Sequence, residues 1–312
     1  MIETITFPHL KRFYETHDFE LAIRQVKFGE SAAISHVNIR FGRNCQLLAD
    51  VTLKLLCLCH HVVSLGKTLT LTFESNSCRC FTFLDRCGFF HSLPQDVVII
   101  PYRKPKAQDA SIAFAGKSEN LLEIRAVSAT DPNKNRPIPG QLTDTLGALI
   151  KTDCETFLSN IQTIVSEFCS NVPEHSKVST PGFVYMHHYP GSGNIYICIA
   201  DLGVGLLTSL REGLQLRNHW AKDLPDQNLI LEMFNQGLSR KHDGRGTGLN
   251  RAANIAIQFG GRLHVRLDRH VIDLYPNGNR FEATTSATAL MSTDCFLAKG
   301  THITLCFSRA KL

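Results

Sequence analysis

The stretch "HDGRGTGLNRA", residues 242–252, places glycines at 244, 246 and 248. A glycine carries no Cβ, so a backbone spaced this way can approach a phosphate closely. Several unrelated nucleotide-binding folds use such a stretch, and its neighbours discriminate between them. A dinucleotide-binding fingerprint follows a strand directly and opens the first βαβ unit. Here the preceding NQGLSRKHD (235–243) is polar and loop-like, and the glycines come late in the chain. The P-loop pattern G-x-x-x-x-G-K-[ST] is absent. Both common phosphate loops therefore fail.

Three further segments complete the pattern. ETFLSNIQTIVSEFCSNVPEHS (155–176) has helical periodicity, with Phe157, Ile161, Ile164, Val165, Phe168 and Val172 on one apolar stripe. Glu167, Asn171 and His175 recur at intervals of four, so a carboxylate and an amide project from one side. NIYICIADLGVGL (194–206) is an apolar strand running into Asp201, Gly203 and Gly205. KGTHITLCF (299–307) is a terminal strand that begins Gly-Thr. Pro173 lacks a backbone donor and predicts a helix that kinks or ends just past Asn171.

These boxes, in this order, resemble the GHKL or Bergerat-fold ATP-binding domain shared by DNA gyrase, histidine kinases and anti-sigma-factor serine kinases. The E-x₃-N-x₃-H helix is similar to the N box, DLGVG to the G1 box, GRGTGL to the G2 box and GTHITL to the G3 segment. FGGRLHVRL (259–267) resembles the strand that follows the G2 helix. The resemblance covers about residues 145 to 308. It implies an α+β two-layer sandwich over residues 141–312 that binds Mg²⁺ and ATP.

The resemblance also implies roles. Glu167 matches the general base, which orients and deprotonates a water or a hydroxyl. Asn171 matches the Mg²⁺ ligand, a hard cation taking its amide oxygen without a second negative charge. Asp201 accepts from the adenine amino group, Gly203 and Gly205 let the backbone pass the base, and Thr301 backs the contact through water. Gly244, Arg245, Gly246, Thr247, Gly248 and Leu249 line the phosphates, assisted by the dipole of the next helix. Residues 206–243 correspond to the ATP lid, the expected moving part. Ser239, Arg240, Lys241 and Arg245 are candidates for sensing the γ-phosphate, and His175 matches a family histidine.

Upstream the pattern alternates. SAAISHVNI (31–39) and TLTLTF (68–73) read as strands, and CQLLADVTLKLLCLCHHVVSLG (45–66) and FTFLDRCGFF (81–90) as helices closing at Gly66 and Gly88. Over about residues 30 to 100 this resembles the STAS domain, a small α/β fold, which gives a domain at 1–135. DPNKNRPIPG (131–140), with three prolines and no apolar periodicity, reads as a linker. YPNGNRFEATTSATALMSTDCFLA (275–298) reads as an insertion before the last strand.

Bulk properties bound the alternatives. With 43% hydrophobic and 20% charged residues in 312, the chain has the composition of a soluble globular protein of two domains. A net charge of +5 without a dense basic run gives no indication of nucleic acid. The charged N-terminal segment is unlike a signal peptide, and no uncharged apolar run approaches the roughly 18 residues a membrane helix needs. Eleven cysteines, an odd number in mainly apolar segments, predict reduced thiols and a cytoplasmic protein. Cys57, Cys59, His60, His61, Cys78 and Cys80 lack the usual zinc spacing and read as core.

Three functions fit. The protein is an ATPase whose lid closure switches an interaction with a partner or a second copy; an anti-sigma-type serine/threonine kinase using the same Glu167; or a non-catalytic adaptor. Glu167 argues against the adaptor. The absence of an obvious acceptor serine in the N-terminal region favours the ATPase.

Overall fold

In the computed structural model the described residues are 1–312 without 9–12, 25, 27–30, 32, 103–104, 106–107, 151–153, 176–180, 237, 239–247, 268, 278–279 and 284–298. They form a mixed α/β protein with parallel and antiparallel sheets. The chain divides into two compact units between Ile124 and Arg125.

The first unit is built from β1 (Ile2–Phe7), β2 (Phe13–Tyr14), α1 (Thr16–Arg24), β3 (His36–Phe41), β4 (Gln46–Leu47), α2 (Ala49–Ser64), β5 (Thr68–Phe73), α3 (Arg79–Arg86), the single turn α4 (Phe89–Ser92), β6 (Val98–Ile100) and the single turn α5 (Ala110–Ala113). Its main sheet runs β1-β3-β5-β6, all parallel. Strict alternation drives one face inward: Ile5, Phe7, Val37, Ile39, Phe41, Leu69, Leu71, Phe73 and Ile99 are buried. Phe7, Phe41 and Phe73 share a register and stack at 5.5 and 4.7 Å between ring centroids. Helix α2 is buried on nearly every side, as its apolar composition demands. It ends where Gly66 turns left-handed at φ +70°. Lys54 is buried beside Thr16, whose hydroxyl bonds Asp50; Lys54 Nζ lies 3.1 Å from Thr16 Oγ1 and 3.9 Å from Glu20 Oε1.

The remaining elements are β7 (Leu121–Val127), which crosses the division, then α6 (Pro137–Ile150), α7 (Glu155–His175), β8 (Gly182–Tyr189), β9 (Asn194–Ala200), α8 (Leu206–Leu216), α9 (Asp226–Gln236), α10 (Gly248–Gln258), β10 (Arg262–Leu267), β11 (His270–Asn277), β12 (Arg280–Ala283) and β13 (Thr301–Ser308). The sheet order is β12-β11-β10-β13-β9-β8-β7, with every pair from β12 to β8 antiparallel. One sheet face carries Val184, Met186, Ile195, Ile197, Ile199, Ile303, Leu305, Phe307, Leu263 and Val265, all buried. Helix α7 lies on it: the Phe157 ring sits 5.0 Å from Phe307 and 4.9 Å from Phe259. The other face is polar along β10 and β13. There Asp273 receives both Arg262 (2.8 Å) and His264 Nδ1 (2.9 Å).

Four sequence expectations are revised. The 131–140 stretch is not an irregular linker: Pro132–Asn135 form a 3₁₀ turn and Pro137 opens α6, because proline is tolerated at the start of a helix. Helix α7 continues past Pro173 to His175. On its stripe Cys169 takes the buried place and Phe168 is half-buried. The 275–298 stretch begins as regular structure, with β11 reaching Asn277 and β12 following; its residues 284–298 lie outside the described residues.

Candidate functional site

Helix α7 and the ends of β9 and β13 meet at one corner of the sheet. Strand β9 ends at Ala200, and Asp201 extends the ladder by one bond, its N–H donating to the Thr301 carbonyl at 2.9 Å. The Asp201 side chain then turns the chain, Oδ1 accepting the Gly203 N–H at 2.8 Å, the usual geometry of an aspartate in a turn. Gly205 adopts φ +84°, ψ 144°, outside the range of most side chains, and α8 begins at the next residue.

Across the ladder, Gly300 is forced by contact. A Cβ there would stand 2.0 Å from the Asp201 carbonyl oxygen and 2.9 Å from Leu202 Cα, and its φ is +84°. The backbone of β13 therefore lies directly against the Asp201–Leu202 segment. Thr301, buried at 4% exposure, reaches over with its hydroxyl and accepts the Leu206 N–H at 3.0 Å. Gly205 has no side chain with which to cap α8, and a threonine from a strand almost a hundred residues later supplies that cap. The family resemblance implies a water-mediated role for Thr301; in the structure its hydroxyl makes this capping bond.

Helix α7 reaches the same corner through Gly182. A Cβ at Gly182 would meet Val172 Cγ2 at 2.9 Å and the Ala200 carbonyl at 3.1 Å. Val172 and Ala200 thus close over a glycine, which sets Asn171 one residue from that contact and Asp201 one residue from it on the strand. Glu167 and Asn171, one turn apart on α7, are both half-buried. Among the described residues the Asn171 amide has no hydrogen-bond partner.

Pro173 removes the N–H that would bond the carbonyl four residues back, at Cys169. The Asn135 amide, 3% exposed, points its Nδ2 at that carbonyl (3.4 Å). Its Oδ1 accepts the Ser128 N–H (2.7 Å), and its Nδ2 also donates to the Ser128 carbonyl (2.9 Å). The stretch that reads as a linker therefore carries the residue that replaces the missing helix bond, between Glu167 and Asn171. No sequence signal marks Asn135, because its partner is fixed only by tertiary packing.

Of the glycine stretch, Gly244, Arg245, Gly246 and Thr247 lie outside the described residues, as do Ser239, Arg240 and Lys241. The structure describes the backbone of His175 but not its side chain. Gly248 opens α10 and Leu249 is half-buried. The Asn250 amide donates to the Phe234 carbonyl at 2.7 Å, joining the last turn of α9 to the first turn of α10. Helix α10 packs against α7. Glu167, Asn171, Asp201, Gly203, Gly205 and Thr301 are thus carried on elements that pack directly on one another.

Among the described residues no cluster of three or more His, Cys, Asp or Glu side chains is arranged to hold a metal, and no helix is long and apolar enough to cross a membrane. Cys57 and Cys59 are buried in α2, and burial pushes the Cys59 thiol far up. No protein-family model and no curated protein matches the chain.

Proposed function

We propose that residues 141–312 form a GHKL-type domain that binds Mg·ATP and hydrolyses it, and that the nucleotide state switches a protein–protein interaction. What supports the reading is the convergence at one corner. The α7 turn with Glu167 and Asn171 packs beside Ala200, and Gly300–Thr301 close on Asp201 and Leu206. Four sequence boxes spread over some 150 residues resemble one family, and three of them meet in space.

The residues present suit the ligands. Asn171 offers an amide oxygen without a partner among the described residues, and Glu167 is on the same helical face one turn earlier. An all-oxygen donor set of low charge suits a hard divalent cation, which supplies charge neutralisation for the phosphates when bound. Glu167 orients the attacking oxygen and takes its proton. Asp201, fixed by its bonds to Thr301 and Gly203, orients the base. The first turn of α10 presents backbone N–H groups to the phosphates. For residues 1–135 the parallel sheet with α2 and α3 supports the STAS likeness, and the ten described cysteines, none of them in a disulfide, support a cytoplasmic setting.

The test follows the γ-phosphate. Pure protein and a Glu167→Ala variant are incubated with Mg²⁺ and γ-labelled ATP, and free phosphate is separated from labelled protein. Phosphate released by wild type alone supports the ATPase. Label on protein instead turns the reading to a serine/threonine kinase, and absence of ATP binding refutes the family assignment.

A further inference from the structure

After β9 come α8, a 3₁₀ turn at Trp220–Asp223 and α9, and one side chain cross-ties all three. Arg211, midway along α8, donates through Nε (3.0 Å) and Nη2 to Asp226 Oδ1 at the start of α9. Its Nη1 donates to the Lys222 carbonyl at 2.9 Å and its Nη2 to the Leu224 carbonyl at 2.7 Å. A single guanidinium thus binds α8, the 3₁₀ turn Trp220–Asp223 and α9. His270 Nε2, on β11, stands 3.8 Å from the other oxygen of Asp226. The turn is further ordered by Asn218 in the left-handed region (φ 49°) and by the Ala221 N–H bonded to His219 Nδ1 at 3.2 Å. Trp220 stands on it, 65% exposed.

We propose that Arg211 is a positioning residue for the corner at Asp201. The inference rests on reading that corner as a nucleotide site. Helix α8 is a lever of 11 residues. Its first N–H is bonded to Thr301, next to Asp201, and its middle is pinned by Arg211 to a turn and a second helix. Gly205, at the sheet end of the lever, is the point about which α8 pivots once the pin is lost. A pivot there pulls Leu206 away from Thr301 and shifts the wall beside Asp201. Lysine cannot replace the pin. Its ammonium is a point donor, whereas the acceptors on Asp226, Lys222 and Leu224 lie around a planar fork.

The experiment compares wild type with Arg211→Lys and Asp226→Asn. It measures dissociation of a fluorescent ATP analogue in Mg²⁺ and acrylamide quenching of Trp220, the chain's single tryptophan. Both variants are expected to release the analogue roughly tenfold faster, the scale of one lost hydrogen bond to a charged group, and to quench more readily. Leu146→Ala, a core truncation in α6 outside the clamp, is expected to lower the melting temperature and leave dissociation within about twofold. Asp226→Asn keeps the two carbonyl bonds of Arg211, so it reports even where Arg211→Lys does not fold. Unchanged quenching overturns the clamp. Increased quenching with wild-type dissociation overturns the positioning role. A wild-type protein that binds no nucleotide refutes the function reading and this inference with it, whereas wild-type binding with unaltered variants refutes this inference alone.

Discussion

Gly300→Ala is the sharpest perturbation of the corner at Asp201. The added methyl stands 2.0 Å from the Asp201 carbonyl oxygen, and ordinary contact begins at 3.4 Å. Either the Asp201–Leu202 backbone or β13 must retreat by about 1.4 Å. Two costs follow. Holding alanine at φ +84° costs about 1–2 kcal/mol, and overpacking a tight site costs about 1–3 kcal/mol more. The expected total is about 2–5 kcal/mol. Gly193→Ala isolates the first cost, because Gly193 in the β8–β9 turn has φ +70° and nothing within 4 Å of its Cβ. It should lose only about 1–2 kcal/mol. Urea unfolding of both variants gives the difference, and calorimetric titration with Mg·ATP gives the functional consequence. On the proposed reading of that corner as a nucleotide site, a displacement near 1 Å should weaken binding measurably and slow turnover by about 100-fold in Gly300→Ala and hardly at all in Gly193→Ala. If the two variants are equally stable and bind alike, the close approach at Gly300 does not set Asp201 and the reasoning fails.

Other outcomes follow from single residues. Burial, and then the neighbouring His188, lower the His187 pKa to about 4. An unfolded histidine near 6.5 binds its proton first, so stability is full above about pH 6.5 and falls as pH drops toward 4, on the order of 1–3 kcal/mol; His187→Phe should flatten that part of a stability–pH curve. Burial raises the Asp273 carboxyl, but the His264 hydrogen bond and charge and then Arg262 outweigh it and hold it well below the usual range. Its contribution is present above about pH 4 and lost below, and Asp273→Asn should unfold with less acid dependence there. Phe157, fully buried between Phe307 and Phe259, should cost about 3–5 kcal/mol on truncation to alanine, read as a lowered urea midpoint. Lys54→Ala should cost about 3–5 kcal/mol by leaving Glu20 buried without its cation, and Lys54→Met, which keeps the packing but not the charge, nearly as much, as thermal melts will check.

Much of this was legible in one dimension. TLTLTF is β5 to the residue, because period-2 alternation in the sequence and the pleat of a strand are the same fact. The 155–176 periodicity is α7, since an apolar stripe at helical spacing has one way to be buried. Glu167 and Asn171 share a face by arithmetic alone, and Asp201, Gly203 and Gly205 make a turn because aspartate and glycine are the residues a turn accepts. What the sequence left out are relations between residues far apart. Gly182 and Gly300 carry no local signal that a second backbone comes within contact of them. DPNKNRPIPG reads as a linker because prolines suggest irregularity, yet they open a helix and place Asn135 against the carbonyl that Pro173 leaves without a donor. Thr301 caps a helix that begins 95 residues earlier, and Arg211 meets three acceptors distributed over a turn and a second helix. Local propensity and periodicity are properties of a segment and can be read from it. Close approach and the replacement of a lost hydrogen bond depend on which surfaces meet, and only the packed chain decides that.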